Sequence, residues 1–570
     1  MPHGGSTEAP QREGVMKVFR HRAKFAGLIA VMTVAVAFSP FAASAADTEA
    51  PAPGAATAGS PLTAANAVAS DDAPGRLTKI QRAAIAGKTS VPDDDAYARA
   101  KARATRQAAG SAASASVTPP RPKAPSSLRN WEGLQNPTSA PSDQTSAVGT
   151  TRYIQMVNTK FAIYDRTSNT PLSTGDLTTL VGSGVGPNVF DPQVIWDPTT
   201  SRFYYVTDQI NSASDNRLAF GWSKTASPTN GTTDWCKYSV SRGTDFPDYP
   251  KLGDTSDLLL IGTNTFGPVS FNYTEMYSVL KPGTGTTCPD GPSLTLGLAN
   301  DLRAANGEVA WTPVPANQTD TSTTGYAVAT RFPSGSIITV FTVTKNASNL
   351  LVVGPPRSMT VAAYSSPPPA PQPGTTAKLD TLDARITQAV SAIDPFRSNG
   401  VGLWAQHTIA GGGGSQVRWY EINPVPATPV PFQSGNQSNA GLFYYNGAVS
   451  PDRRRNGASA MFGNGMLLHY SSSSSSQRIS ILAVSKVDNG AVTGELVLKA
   501  SPSGGVIDDF SCNASRVCRW GDYAGATPDP ASNTSAAHGV VWGTNGWAES
   551  SAGSNPDWRT QNFAVQVTPK

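Results

Sequence analysis

Between Asn188 and Val206 apolar and polar positions alternate with a period of two. Val194, Trp196, Phe203 and Tyr205 fall on one face, on either side of the turn-forming run Asp197-Pro-Thr-Thr-Ser201. The pattern predicts a β-hairpin with one buried face, extended by Leu218–Ser223 and Trp235–Val240. Similar units follow. One runs from Asp248–Gly253 through Leu258–Asn264 to Glu275–Leu280, and the next from Val309–Pro313 through Tyr326–Thr330 to Ile337–Val343. Beyond the loop Pro367–Pro373, too rich in proline for a central strand, come Ile386–Val390, Gly402–His407 and Val417–Ile422. A fifth unit spans Phe443–Leu498 and a sixth Asp522–Val567. Successive units start about 60 to 75 residues apart, enough for a four-stranded blade with an elaborate loop. The expected fold is therefore all-β, a β-propeller. Six blades are expected if the strands around Tyr153–Asp165 complete the last one, and seven if those strands stand alone.

Upstream the alternation is lost. Residues 46–149 are rich in Ala, Pro, Ser, Thr, Gly and Asp, a composition that buries too little apolar surface to fold by itself. We expect a disordered arm, with an intermittent helix over Arg76–Ala109, and a propeller domain over residues 150–570. Before the arm, Lys17, Arg20, Arg22 and Lys24 precede an apolar run from Phe25 to Phe38 and the small-residue site Ala43-Ser-Ala45. That order is the pattern of a secretory signal peptide over residues 1–45, cleaved after Ala45. No later apolar stretch is long enough to span a membrane, so no transmembrane helix is expected in the mature chain.

Charge adds little. The formal net charge of +4 falls to about +1 without residues 1–45, which argues against a nucleic-acid partner. Four cysteines in an exported chain suggest two disulfides. Cys512 and Cys518 close a small loop, and Cys236 with Cys288 is the remaining pair. The Cys-x-x-Cys or histidine spacing of a zinc site is absent, so no metal and no cofactor are expected.

Four segments, Phe190-Asp-Pro-Gln-Val-Ile-Trp-Asp197, Asp248-Tyr-Pro-Lys-Leu-Gly253, Arg418-Trp-Tyr-Glu421 and Arg519-Trp-Gly-Asp-Tyr-Ala-Gly-Ala526, resemble those of secreted bacterial β-propeller proteins of a broadly sialidase-like kind. The resemblance covers residues 150–570 and implies the fold. The sialidase Asp-box is not present in clean form, and the sialidase arginine triad has no matching positions, so sialidase activity is not implied. Propellers bind ligands on loops at the mouth of the central channel. The candidates there are Asp248 with Tyr249, Arg519 with Asp522 and Tyr523, Trp404 with His407, and Glu421, which shares a face with Val417 and Trp419. Together they offer carboxylate, guanidinium and aromatic groups suited to sugar hydroxyls and pyranose faces. Structural roles compete for several positions: Asp191 and Asp197 precede prolines and read as turn caps, Asp522 follows a glycine, and His407 and His469 lie on apolar strand-like segments.

No nucleophile elbow, zincin motif, phosphate loop or EF-hand loop is found. The expected function is a monomeric secreted recognition protein that binds a glycan or other extracellular ligand at the mouth. The alternative is a carbohydrate-active hydrolase or lyase that uses mouth carboxylates such as Asp248, Glu421 and Asp522.

Overall fold

The repeating units fold into a succession of antiparallel sheets. The computed structural model describes residues 56–66, 77–110, 123–181, 188–283, 285, 287–453, 463–531, 539–550 and 555–569. The expected signal peptide and its cleavage after Ala45 lie outside these residues. Strands take up 54% of the chain and helices 7%, so the fold is all-β and the helices are additions to it.

Among the described residues seven sheets have four or more strands. We label their first strands β1 (Thr145–Val148), β2 (Asn188–Asp197), β3 (Phe246–Asp254), β4 (Trp311–Pro315), β5 (Ile386–Asp394), β6 (Phe443–Pro451) and β7 (Gly525–Pro528). Each first strand packs against the next, and β7 packs against β1.

The apolar pattern explains this arrangement, because the strands bury side chains on both faces of the sheets. In Leu258-Leu-Leu-Ile261, Leu259 and Ile261 join Tyr204, Phe220 and Trp222 of the preceding sheet. Leu258 and Leu260 point the other way, to Ala327, Phe341 and Val343 of the following one. The other gaps are filled in the same manner, for example by Trp404 and Trp419 against Leu468 and Tyr470, and by Trp131 and Trp542 against Tyr153 and Tyr164. Completely burying one such side chain is worth roughly 1.5 to 3 kcal/mol, which holds adjacent sheets face to face.

Two sequence expectations are corrected here. The strands around Tyr153 do not complete the last sheet; Arg152–Val157, Lys160–Asp165 and Pro171–Asp176 form a sheet of their own with β1. What completes the last sheet is Pro125–Glu132, paired with Trp558–Pro569, although residues up to 149 read as arm. Further upstream, Thr57–Ala58, Ser60–Leu62 and Ala65–Asn66 pair with the outer strands of the fourth, third and second sheets. Two helices follow, α1 (Lys79–Ile85), opened by a Thr78/Gln81 capping box, and α2 (Asp94–Gly110). The reason is physical. Pairing to an existing sheet edge needs only backbone N–H and C=O groups, so a segment too polar to build a core can still be ordered on one.

The disulfides Cys236–Cys288 and Cys512–Cys518 are both formed. No described helix is long and apolar enough to cross a membrane.

Candidate functional site

Several first strands share a break in the same place. Phe190-Asp-Pro, Asp248-Tyr-Pro, Trp311-Thr-Pro and Tyr445-Asn-Gly each put their middle residue at positive φ: 53° for Asp191, 60° for Tyr249, 53° for Thr312 and 48° for Asn446. The strand register shifts at each point. These are β-bulges, which bend a strand and re-aim its side chains, and the proline or glycine suits a position where the ladder is interrupted. The first two of them bring Asp191, Asp248 and Tyr249 to a common cavity of about 200 Å³.

Asp143, Asp191, Asp248, Tyr249, Arg385, Arg519 and Asp522 line it. Arg385 is bidentate on Asp383, with Nε donating to Oδ1 at 2.7 Å and Nη2 to Oδ2 at 3.1 Å, while Trp311 Nε1 donates to the same carboxylate at 2.8 Å. The guanidinium lies 4.5 Å from the Tyr249 ring centre. Arg519 pairs with Asp522. The Asp522 backbone N–H donates to Asp143 at 2.6 Å, and the Tyr249 hydroxyl donates to the Asp522 carbonyl at 2.8 Å. Lys251 is buried with its ammonium 3.9 Å and 3.5 Å from the ring centres of Tyr249 and Tyr523. One carboxylate oxygen each from Asp191 and Asp248 in this lining and from Asp208 outside it lie within 4.8 Å of one another.

Such burial moves the proton equilibria. Desolvation, with help from the charges of Asp248 and Asp522, pushes Asp191 up to about 8. Desolvation also takes Asp248 up to about 7 against the opposing pull of Arg385 and the Ser90 hydroxyl. Asp143 and Asp208 are raised for the same first reason, and burial lowers Lys251 to about 7. At Asp380 burial is outweighed by Lys101 and Arg519, and the carboxyl falls to about 2.

The arm reaches this cavity. The connection between α1 and α2 contributes Gly87, Lys88 and Ser90 to its lining. Arg519 donates to the Gly87 carbonyl, Arg385 to the Ser90 carbonyl at 3.4 Å, and the Thr89 hydroxyl to Asp380 at 3.1 Å. Gly87 sits at φ +66°, and a Cβ there would stand 2.3 Å from the Ala140 carbonyl oxygen, so only glycine fits this approach. On α2, Lys101 donates to Asp380 at 3.2 Å and Thr381 at 3.1 Å. Asp93, in the acidic run beginning at Val91, caps α2 by accepting from the Ala96 N–H at 2.8 Å.

Of the sequence candidates, Asp248, Tyr249, Arg519, Asp522 and Tyr523 come together here. The other three do not. Trp404 stacks on Trp419 inside the gap between the fifth and sixth sheets. His407 is buried between the Ala384 carbonyl and the Tyr420 hydroxyl. Glu421 pairs with Arg397 at 3.2 Å and accepts from Gln433 at 2.7 Å, apart from the cavity. All three stand on inner strands of the fifth sheet, where period-two alternation aims them into packing rather than at the bulged end. Asp197 does cap its turn, accepting from Thr199 and Thr200, but Asp191, read as a similar cap, faces the cavity. Asp143, Asp208, Lys251, Arg385 and Asp380 were not singled out from the sequence. The one available signal was Asp208, a carboxylate in the run Phe203–Ile210, which is buried throughout.

No family model matches the chain, and no curated protein matches it. Among solved structures it is similar to an apocarotenoid oxygenase mutant of Synechocystis (11% identity, TM-score 0.35, covering 70% of this chain and 80% of that one). It is also similar to the haemagglutinin-neuraminidase of parainfluenza virus 5 (10%, 0.30, 64% and 94%) and to an exo-β-1,3-galactanase of Clostridium thermocellum (10%, 0.25, 63% and 88%). Identities and TM-scores this low leave the chemistry to be read from the chain's own residues.

Proposed function

We propose that the seven sheets are the blades of a secreted β-propeller whose central cavity binds a polyhydroxylated ligand, a glycan in the first place, and that the connection between α1 and α2 occupies this cavity in the resting protein. The observation that carries the reading is the convergence of Asp143, Asp191, Asp248 and Asp522 with Arg385 and Arg519 in one lining. A sugar hydroxyl both donates and accepts, so it is held best where carboxylate acceptors and guanidinium donors alternate at short range. In the resting protein those donors are engaged by the Gly87 and Ser90 carbonyls, which stand in for ligand oxygens. The two disulfides fit an extracellular setting.

The test is a glycan-array screen of the full mature chain and of its Lys101→Ala, Arg519→Ala and Asp522→Asn variants. Lys101→Ala, which loosens α2, should strengthen binding, and the two cavity variants should abolish it. A screen in which neither the mature chain nor Lys101→Ala retains any glycan would refute the reading. A second reading, a hydrolase, has one observation in its favour: Asp248 and Asp522 line a single cavity, as the paired carboxyls of glycoside hydrolysis do. Reducing sugar released from any retained glycan, and lost in Asp522→Asn, would establish it.

A further inference from the structure

We propose that Asp191 and Asp248 of the cavity lining, together with Asp208, hold a hard divalent cation, calcium foremost. Asp191 and Asp248 sit at the bulges of β2 and β3, and Asp208 stands on Arg202–Ser212, the strand paired with β2. Two neighbouring sheets thus contribute to one cluster. The 4.8 Å limit on the separation of the three oxygens is decisive for geometry. Ligands on one calcium ion, each bonded at about 2.4 Å, are at most about twice that distance apart, so a single coordination sphere can take all three.

An independent observation comes from Asp208. It is fully buried, and neither of its carboxylate oxygens accepts a hydrogen bond from any described residue. The Tyr249 amide lies near enough to favour the charged form, yet outside hydrogen-bond geometry. A buried carboxylate with no partner is costly by several kcal/mol, and a bound ion removes that cost. The nearby cation, Lys251, does not do so: its ammonium has no hydrogen-bond partner and is turned onto the Tyr249 and Tyr523 rings. All-oxygen donors select calcium, magnesium or manganese over softer metals. The ion would clamp β2 to β3 at the point where their bulges interrupt the ladders, and the inference stands whether or not the cavity takes a glycan.

The experiment uses the full mature chain, stripped with EDTA and titrated with calcium chloride by calorimetry, with terbium luminescence excited through the adjacent tyrosines as a second readout. One ion per chain should bind, raise the melting temperature, and displace terbium from a sensitised site. Asp208→Asn should weaken calcium at least about ten-fold, whereas Asp176→Asn, at an exposed carboxylate on the outer strand of the first sheet, should leave binding unchanged. Lys251→Met, which keeps the packing on the two rings and removes the competing charge, should tighten binding. The proposal is overturned if the stripped wild-type chain takes up no calcium at millimolar concentration, or if Asp208→Asn binds as tightly as wild type. Should Asp208→Asn fail to fold, unchanged or weakened affinity in Lys251→Met overturns it equally.

Discussion

In the gap between the third and fourth sheets Leu258, Leu260, Met276 and Phe341 are buried in one apolar cluster. In and around the cavity Asp208, Lys251, Asp383 and Arg385 are buried as deeply and are all ionisable. The same degree of burial has opposite consequences. In the gaps, removing surface from water is itself the driving force. At the cavity every group must be desolvated, and the cost is offset only where a partner is supplied, as Asp383 is supplied to Arg385. The gaps therefore hold the sheets in position, and the stability they generate supports a charged centre that no isolated sheet would tolerate.

The sharpest way to break this comparison is to move a candidate from one region to the other. Trp404 was a ligand-stacking candidate in the sequence and is a gap residue in the fold. Trp404→Ala should cost about 3 to 5 kcal/mol in urea unfolding and leave calcium and ligand binding per folded molecule intact. Lost binding at unchanged stability would return Trp404 to the cavity.

A slightly smaller effect tests pairing at the centre. Arg385→Ala strands the Asp383 carboxylate in a buried site, where only Trp311 Nε1 and the backbone N–H of residue 385 still donate to it, and should cost about 3 kcal/mol. The double variant Arg385→Met with Asp383→Asn removes both charges and keeps an acceptor for Trp311. It should be distinctly more stable than the single variant in the same denaturant titration. Additive losses would show that the pair is not a compensated unit.

The histidines sharpen the comparison through pH. Burial lowers His407 and His469 from the ordinary 6.5 to about 4. Each is held neutral: His407 Nδ1–H donates to the Ala384 carbonyl at 2.9 Å, and His469 Nε2–H donates to the Gly525 carbonyl at 2.9 Å. The unfolded chain binds these protons first, so each histidine's contribution is complete above about pH 6.5 and is lost as pH falls toward about 4. The slope is at most about 1.4 kcal/mol per pH unit for each. His407→Gln should flatten the stability profile over this window, measured by thermal unfolding at several pH values. An unchanged slope would mean that His407 is already protonated in the fold.

The contrast also explains what was legible in the sequence. Period-two alternation around Trp196 and Phe203, and the doubly buried run Leu258–Ile261, announced strands and repeating sheets, because packing is written locally in the order of apolar residues. Edge pairing was not legible. Pro125–Glu132 closes the last sheet through backbone groups that every residue owns, so its composition read as arm. The central cavity was legible only in part. Asp248, Tyr249, Arg519, Asp522 and Tyr523 stand in distinctive segments beside turn signals, whereas Asp208 is an ordinary strand residue, and Lys251, although in the same segment as Asp248, gains its significance only from the Tyr249 and Tyr523 rings it meets in the fold. Trp404, His407 and Glu421 misled for the converse reason: their residue types suit a ligand, but their strand positions aim them into packing.

The smallest expected effect concerns the arm, which touches the charged region and none of the gap clusters through α2. Lys101 donates to Asp380, Thr381 and the Leu382 carbonyl, and Tyr97 adds a hydrogen bond to Asp380 at 3.3 Å and a ring contact with Phe332. In Lys101→Ala the Asp380 carboxylate keeps Thr89, Tyr97 and, at 4.0 Å, Arg519 Nε. It is not stranded, so the loss should be limited to about 1 to 1.5 kcal/mol. That loss should fall on local opening rather than on global unfolding, since a segment held by a few polar contacts opens as its own unit. Hydrogen exchange of the α2 amides should accelerate about ten-fold, while the amides of Leu258–Phe266, between two gap clusters, should exchange as in wild type. Equal acceleration in both places would show that arm and sheets open together. Acceleration confined to α2 would leave Arg385 and Arg519 free to exchange the Ser90 and Gly87 carbonyls for a ligand without disturbing the sheets that position them.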